Sequence, residues 1–348
     1  MKSFTSEPSF NITGYESVRA AGKDFETYSS KLQGDRDVRD YPQLPLEVDP
    51  PDHTAYRHAI QPLFLRPKLE SHLKDFTTEA RQVLLRARAS GYVIDVYNEI
   101  SLPFVIGCLS IIYNRPQDRD EWASWGPDVW TAASPERSGE TLHNYLAKVW
   151  AEPLDRDDVW SFIKQSRPTG EALTELEFKG YASVLLAGGR DTVIKLISGL
   201  VWHLLRSKDD LQRVRKDSDL FKPLINELLR FLSPLPAIER VKPSEFRPAN
   251  PSYYRLHFAS ANYDPDVWSN PEVVDIDRGR QPHLAFGYGP HACIGMNLAE
   301  YEARAFLLAF VEVADQFKLV DFDLEWDEVE GTTYLRDLRD LKLSVSGS

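Results

Sequence analysis

The sequence predicts a mainly helical domain, residues 1–348, with a small β region. Three observations carry that expectation. Apolar residues recur at helical spacing in segments near 69–90, 96–113, 139–150, 174–206 and 219–232, and again from about 294 to 314. Between 233 and 292 the prolines Pro234, Pro236, Pro243, Pro248, Pro251, Pro265 and Pro271 recur, which implies loops and short strands. The tail "FKLVDFDLEWDEVEG…DLKLSV" alternates as strands do, with an acidic solvated face.

Ahead of these elements, residues 9–50 mix short apolar runs with turn residues and end in the proline-rich "YPQLPLEVDPPDH". Hydrophobic residues at 42% and aromatics at 11% of 348 residues are enough for a sizeable core, which excludes general disorder. No run of eighteen apolar residues exists, and "MKSFTSEPSFNITGYE" lacks a signal-like apolar stretch, so no membrane partner is expected. Two cysteines supply no disulfide framework and fit a reducing, cytoplasmic setting. A net charge of −12 disfavours nucleic acid and anionic membranes as partners.

The 174–206 segment opens on "TELE", where Thr174 and Glu177 can cap each other's backbone donors. A straight helix of that length would run about 45–50 Å. It is apolar on nearly all sides, which marks a helix crossing the core. Its middle reads "AGGRDT": Gly188 and Gly189 each cost about 1 kcal/mol in a helix interior, and Asp191 suits no buried helix unless paired or hydrated. Close packing against a neighbour would explain the glycines. A local bulge that opens a pocket beside Asp191 and Thr192 would explain the whole segment. In "NELLR", Glu227 and Arg230 share a helix face, a motif that is weak by itself.

The most informative stretch is "HLAFGYGPHACIG", 283–295, which sets Cys293 among three glycines at the mouth of a helix. Unpaired N–H groups at a helix start favour thiolate, and the glycines leave room for something bulky against the backbone. Four-thiolate metal sites are excluded, because Cys108 is the only other cysteine. A nucleotide loop lacks its third glycine, since Ala292 stands there. A Cys–His nucleophile stays open, with His291 two residues away. So does a single soft ligand to haem iron.

Together these residues resemble the cytochrome P-450 superfamily. "FGYGPHACIG" is similar to its haem loop at every fixed position, "AGGRDT" to its oxygen-activating segment, and "ELLR" to its Glu-x-x-Arg motif. "DPPDHTAYR" resembles the haem-propionate segment of bacterial members, and "ANYDPDVWSNPEVVDIDR" the meander before the cysteine loop, with Arg278 at its second structural arginine. The resemblance implies the P-450 fold and a haem b cofactor with Cys293 as iron ligand. It implies propionate contacts from His53, Arg57, Arg240 and His291, and cofactor contacts from Phe286 and Gly287. Asp191 and Thr192 would be the catalytic pair that manages protons on the distal side. Glu227, Arg230 and Arg278 would support the loop.

The activity implied is a haem-thiolate monooxygenase that activates O2 and hydroxylates or oxidatively dealkylates a small organic substrate. Ferredoxin and ferredoxin reductase would supply electrons to a monomer. A peroxide-driven peroxygenase and a non-enzymatic haem sensor are the alternatives; retention of Asp191 and Thr192 argues against both. Some features depart from the family: a short N-terminus without the usual helix and first strand, a missing Gly-x-x-Ile-Pro-x-Gly hairpin after Arg240, Tyr263 in place of a common arginine, and a short polar 31–48. Pocket contacts are expected from Pro236, Ala237 and Ile238, whereas Trp122, Trp125 and Trp130 are read as core before substrate contacts. Arg66, Lys68 and Lys74 mark the expected donor surface.

Overall fold

The protein is described from a computed structural model, which covers all residues except 1–8, 32–40, 91–92, 127–139, 155, 246–251, 280–281 and 346–348. Its first helix, α1 (Tyr15–Lys23), buries Tyr15, Val18 and Ala21 on one stripe. After the proline-rich segment comes α2 (Asp52–Ile60), with His53 and Ile60 buried. Next is α3 (Arg66–Ala89), which carries Pro67 in its first turn, where a missing N–H costs nothing.

The helix expected over 96–113 is two pieces. A π-helical turn at Tyr97–Ser101 runs into α4 (Leu102–Ile112). Pro103 explains the join, because it cannot donate to a carbonyl four residues back and the ladder must change register there. Two short helices, α5 (Arg119–Ser124) and α7 (Val159–Gln165), flank α6 (Glu140–Ala151). At six and seven residues, the short ones carry too little periodicity to be read from sequence.

The long central helix is also divided. α8 (Glu175–Gly188) starts at the Thr174–Glu177 capping box, and α9 (Asp191–Arg206) starts again after Gly189 and Arg190. Arg190 holds φ −106° and ψ −82°, outside helical geometry. Gly189 lies so close to α4 that a Cβ there would sit 3.0 Å from Leu109 Cδ2. Gly188 faces open space. Close packing thus accounts for Gly189, while Gly188 is exposed and meets nothing.

α10 (Lys208–Lys216) and α11 (Phe221–Leu232) follow, then α12 (Phe258–Asn262) and α13 (Met296–Val313). The core gathers where α13 packs on α3, α4 and α9; Phe104 of α4 and Phe306 of α13 are 5.4 Å apart ring to ring. The strands form two small sheets. β1 (Ser9–Ile12) lies parallel to β4 (Tyr253–Leu256), which pairs antiparallel with β3 (Ile238–Val241). β2 (Ile94–Asp95) pairs with β6 (Thr332–Val345), and β6 with β5 (Phe317–Val329).

Candidate cofactor site

Cys293 ends a loop that is wound tightly by its own backbone. The Cys293 N–H donates to Phe286 O at 2.8 Å, Ala292 N–H to Gly289 O at 3.0 Å, and Gly287 N–H to Leu284 O at 2.9 Å. Gly287 and Gly289 take φ +68° and +79°, the left-handed region that glycine alone enters freely. Gly289 also lies directly on α1, where any Cβ would collide with Gly22 O. Arg19 of α1 donates to Tyr288 Oη at 2.9 Å and covers its ring at 4.7 Å.

From the other side, α11 braces this loop through buried charge. Arg230 binds both oxygens of Glu227 at 2.7 and 2.9 Å, and Arg278 reaches the same carboxylate at 2.9 Å. Arg230 also donates to Asn262 O at 2.9 Å, and Asn262 Oδ1 accepts from Leu284 N–H at 2.7 Å. Glu227, Arg230 and Arg278 therefore meet as the resemblance implied, one residue removed from the start of the cysteine loop.

Cys293 has exposed surface, yet desolvation still pushes its thiol up. The two facts agree if the sulfur faces an enclosed space and not open water. The backbone N–H groups of Gly295 and Met296, and the Arg57 charge, pull the other way.

Around that space stand the four predicted cationic residues. The rings of His53 and His291 lie 4.3 Å apart, centroid to centroid. His53 is buried and neither of its nitrogens has a partner. Arg57 makes no hydrogen bond or ion pair among the described residues. Arg240, also buried, donates to Glu239 O at 2.7 Å. The nearest carboxylate, Asp49, is held by Ser29 Oγ and Ser30 N–H and stays 4.0 Å from His291 Nε2.

The electrostatics are those of a site built for an anion. Burial first, and then the neighbouring cations, push His53 down to about 4 and His291 to about 2. Burial takes Arg240 to about 10. His291 Nε2 meets Ser30 Oγ at 3.1 Å, but the buried His53 ring, with no partner at either nitrogen, is costly there unless an anion joins it. The two carboxylates of a haem would meet this demand, and Cys293 would be the residue to hold its iron.

The break between α8 and α9 carries Asp191 and Thr192. Thr192 Oγ1 donates back to Gly188 O at 3.1 Å. Burial raises the Asp191 carboxyl, and Arg190 opposes that shift. Arg190 Nη1 meets Asp191 Oδ1 at 2.9 Å, while Nη2 donates to Trp125 O at 2.7 Å. Arg190, inside the "AGGRDT" segment, is buried at 3% exposure, which no sequence signal indicates. Pro236, Ala237 and Ile238 are partly exposed, Trp122 and Trp125 are core residues, and Trp130 lies outside the described residues.

Comparison with known proteins agrees with this geometry. A family model described as cytochrome P450 matches residues 219–319. Cytochrome P450 109 of Bacillus spizizenii is 28% identical over 332 residues, 88% of this chain and 79% of the relative. The biotin biosynthesis cytochrome P450 of Bacillus subtilis is 27% identical, over 97% of this chain and 91% of its own. Among solved structures, a carbohydrate active P450 superposes with a TM-score of 0.87 at 26% identity, over 96% of this chain and 91% of that one. Among the described residues, no helix is long and apolar enough to cross a membrane. These matches support the cytochrome P450 superfamily, and with it a haem-dependent monooxygenase, as the family this chain is similar to.

Proposed function

We propose that Cys293 binds the iron of a haem b as thiolate and that His53, Arg57, Arg240 and His291 bind its propionates, all within one domain spanning 1–348. One observation carries the reading: the His53 ring, buried with no partner at either nitrogen, stands 4.3 Å from the His291 ring, beside Arg57 and Arg240 and near an exposed thiol. Phe286 and Gly287 form the wall of the loop against the cofactor. When bound, the haem supplies oxygen activation, favoured by thiolate donation. The chain supplies the rest. Cys293 loses its proton on ligation, helped by the N–H groups of Gly295 and Met296 and by Arg57. Asp191, whose carboxyl burial pushes up and Arg190 pulls down, takes up and passes on protons beside the Thr192 hydroxyl. Arg190 holds that carboxyl in place at 2.9 Å.

The substrate is a small organic molecule, hydroxylated or oxidatively dealkylated. The likeness to a carbohydrate active P450 supports adding polar, sugar-sized molecules to the compounds tested. Electrons come from a ferredoxin and its reductase, and the protein works as a cytoplasmic monomer. The test has two parts. The reduced carbon monoxide complex should show the red-shifted band of thiolate ligation in the parent and lose it in Cys293→Ser. Turnover with a surrogate ferredoxin pair should exceed turnover with peroxide alone; the reverse result identifies a peroxygenase.

A further inference from the structure

Beside the α8–α9 break lies a cluster of rings that the proposed chemistry does not use. Trp125, whose carbonyl holds Arg190, has its ring 5.3 Å from Tyr145. Tyr145 is 6.1 Å from Trp122 and 6.3 Å from Trp160, and Tyr113 is 6.2 and 6.0 Å from the same two tryptophans. Tyr113 Oη donates to Leu185 O, in the last turn of α8, at 3.0 Å. Outward, Trp160 touches Phe178 at 6.0 Å, and Phe178 touches the half-buried Trp150 at 5.3 Å.

Packing alone asks for ring volume, which phenylalanine gives without a polar atom to satisfy. Phenylalanine is the commonest aromatic of the chain, 17 against 15 tyrosines and 8 tryptophans, yet none occupies these five inner positions. All five are side chains that can be oxidised by one electron. Tyrosine oxidises readily only when its proton leaves at the same time, and here an acceptor is in place. Tyr145 Oη donates to Asp118 Oδ2 at 2.8 Å and accepts from Trp160 Nε1 at 3.0 Å. Arg115 also binds Asp118 and shares its guanidinium with Glu152 and Asp158.

We propose that Trp125, Tyr145, Trp160 and Trp150 form a path that drains a one-electron oxidising equivalent from the centre to the surface when no substrate accepts it. This rests on the haem and oxygen chemistry proposed above. Tyr145 gives one electron inward through Trp125 and its proton to Asp118, leaving a neutral phenoxyl. Trp150 returns an electron through Trp160, and Tyr145 takes its proton back from Asp118. The Trp150 radical cation is then reduced by a soluble one-electron donor such as a thiolate.

The test treats substrate-free holoprotein with hydrogen peroxide. Freeze-quenched parent should give a tyrosyl signal in electron paramagnetic resonance, and peptide mapping should find oxidation at Trp150. Tyr145→Phe should lose that signal and bleach its haem several-fold faster, and Trp160→Phe should protect Trp150. Equal radical yield and equal bleaching in Tyr145→Phe, with an unchanged haem spectrum, would overturn the proposal. If the variants fail to fold, the parent decides: damage confined to the Cys293 loop refutes the path, and damage at Trp150 supports it. A parent without a thiolate-type spectrum overturns the functional reading as well, whereas a parent with that spectrum and no radical overturns this inference alone.

Discussion

Removing the cofactor should leave a protein that is acid-labile in a way the loaded protein is not. His53 titrates at about 4 and His291 at about 2 in the folded chain, against about 6.5 for histidine in an unfolded one. Between those values the unfolded chain binds protons that the folded chain refuses, so folding stability falls as pH falls through 6.5. At pH 5 each group contributes a loss of about 2 kcal/mol relative to pH 7.5. The two rings touch, so their losses are not additive. His257 and His283, both held at about 4 by burial, add to the same slope and must be kept constant. The assay is urea unfolding of haem-free protein at pH 7.5 and pH 5, for the parent and for His291→Asn. The variant should lose about 2 kcal/mol less over that interval. Haem carboxylates would favour protonated imidazoles, so the loaded parent should show a shallower slope than the haem-free one. Identical slopes in haem-free parent and variant would refute the assignment of His291 as an imidazole held neutral by burial and then by the neighbouring cations.

Three other outcomes are expected. Gly289→Ala, which meets both a left-handed φ and the Gly22 carbonyl, should abolish stable haem retention while α-helical circular dichroism persists. Thr192→Ala should retain the haem spectrum and release more peroxide per electron consumed, measured as the ratio of product to reductant oxidised. Arg66→Glu with Lys68→Glu should slow reduction by an acidic ferredoxin at low salt without changing substrate affinity; because Arg66 is already held by Glu300 at 3.0 Å, Lys68→Glu alone should account for much of the effect.

Sequence reading reached the long helices and the cysteine loop because each carries strong local signals: uniform apolar spacing, a capping box, and glycines at fixed offsets. It failed where structure depends on a single residue's geometry. Pro103 turned one expected helix into a π turn plus α4, and two consecutive glycines turned a bulge into a full break. The cation cluster was legible only through resemblance, since His53, Arg240 and His291 come from separate segments that no spacing rule connects. The Arg190 bridge to Trp125 was not legible at all, because burial of a cation inside a helix break leaves no pattern in the chain.

The seat of Gly289 on Gly22 has a consequence for how the protein is made. Residues 15–23 are synthesised 260 residues ahead of the cysteine loop, which starts at His283, yet Gly22 and Gly289 are in direct contact. Until that loop has been synthesised, α1 lacks its Gly289 contact and the cofactor has no cradle, so cofactor capture follows the folding of the loop. Contacts of such long range form slowly. A cell short of haem would therefore accumulate a folded helical body whose first helix is unseated, and protease cleavage between residues 24 and 31 should report that state.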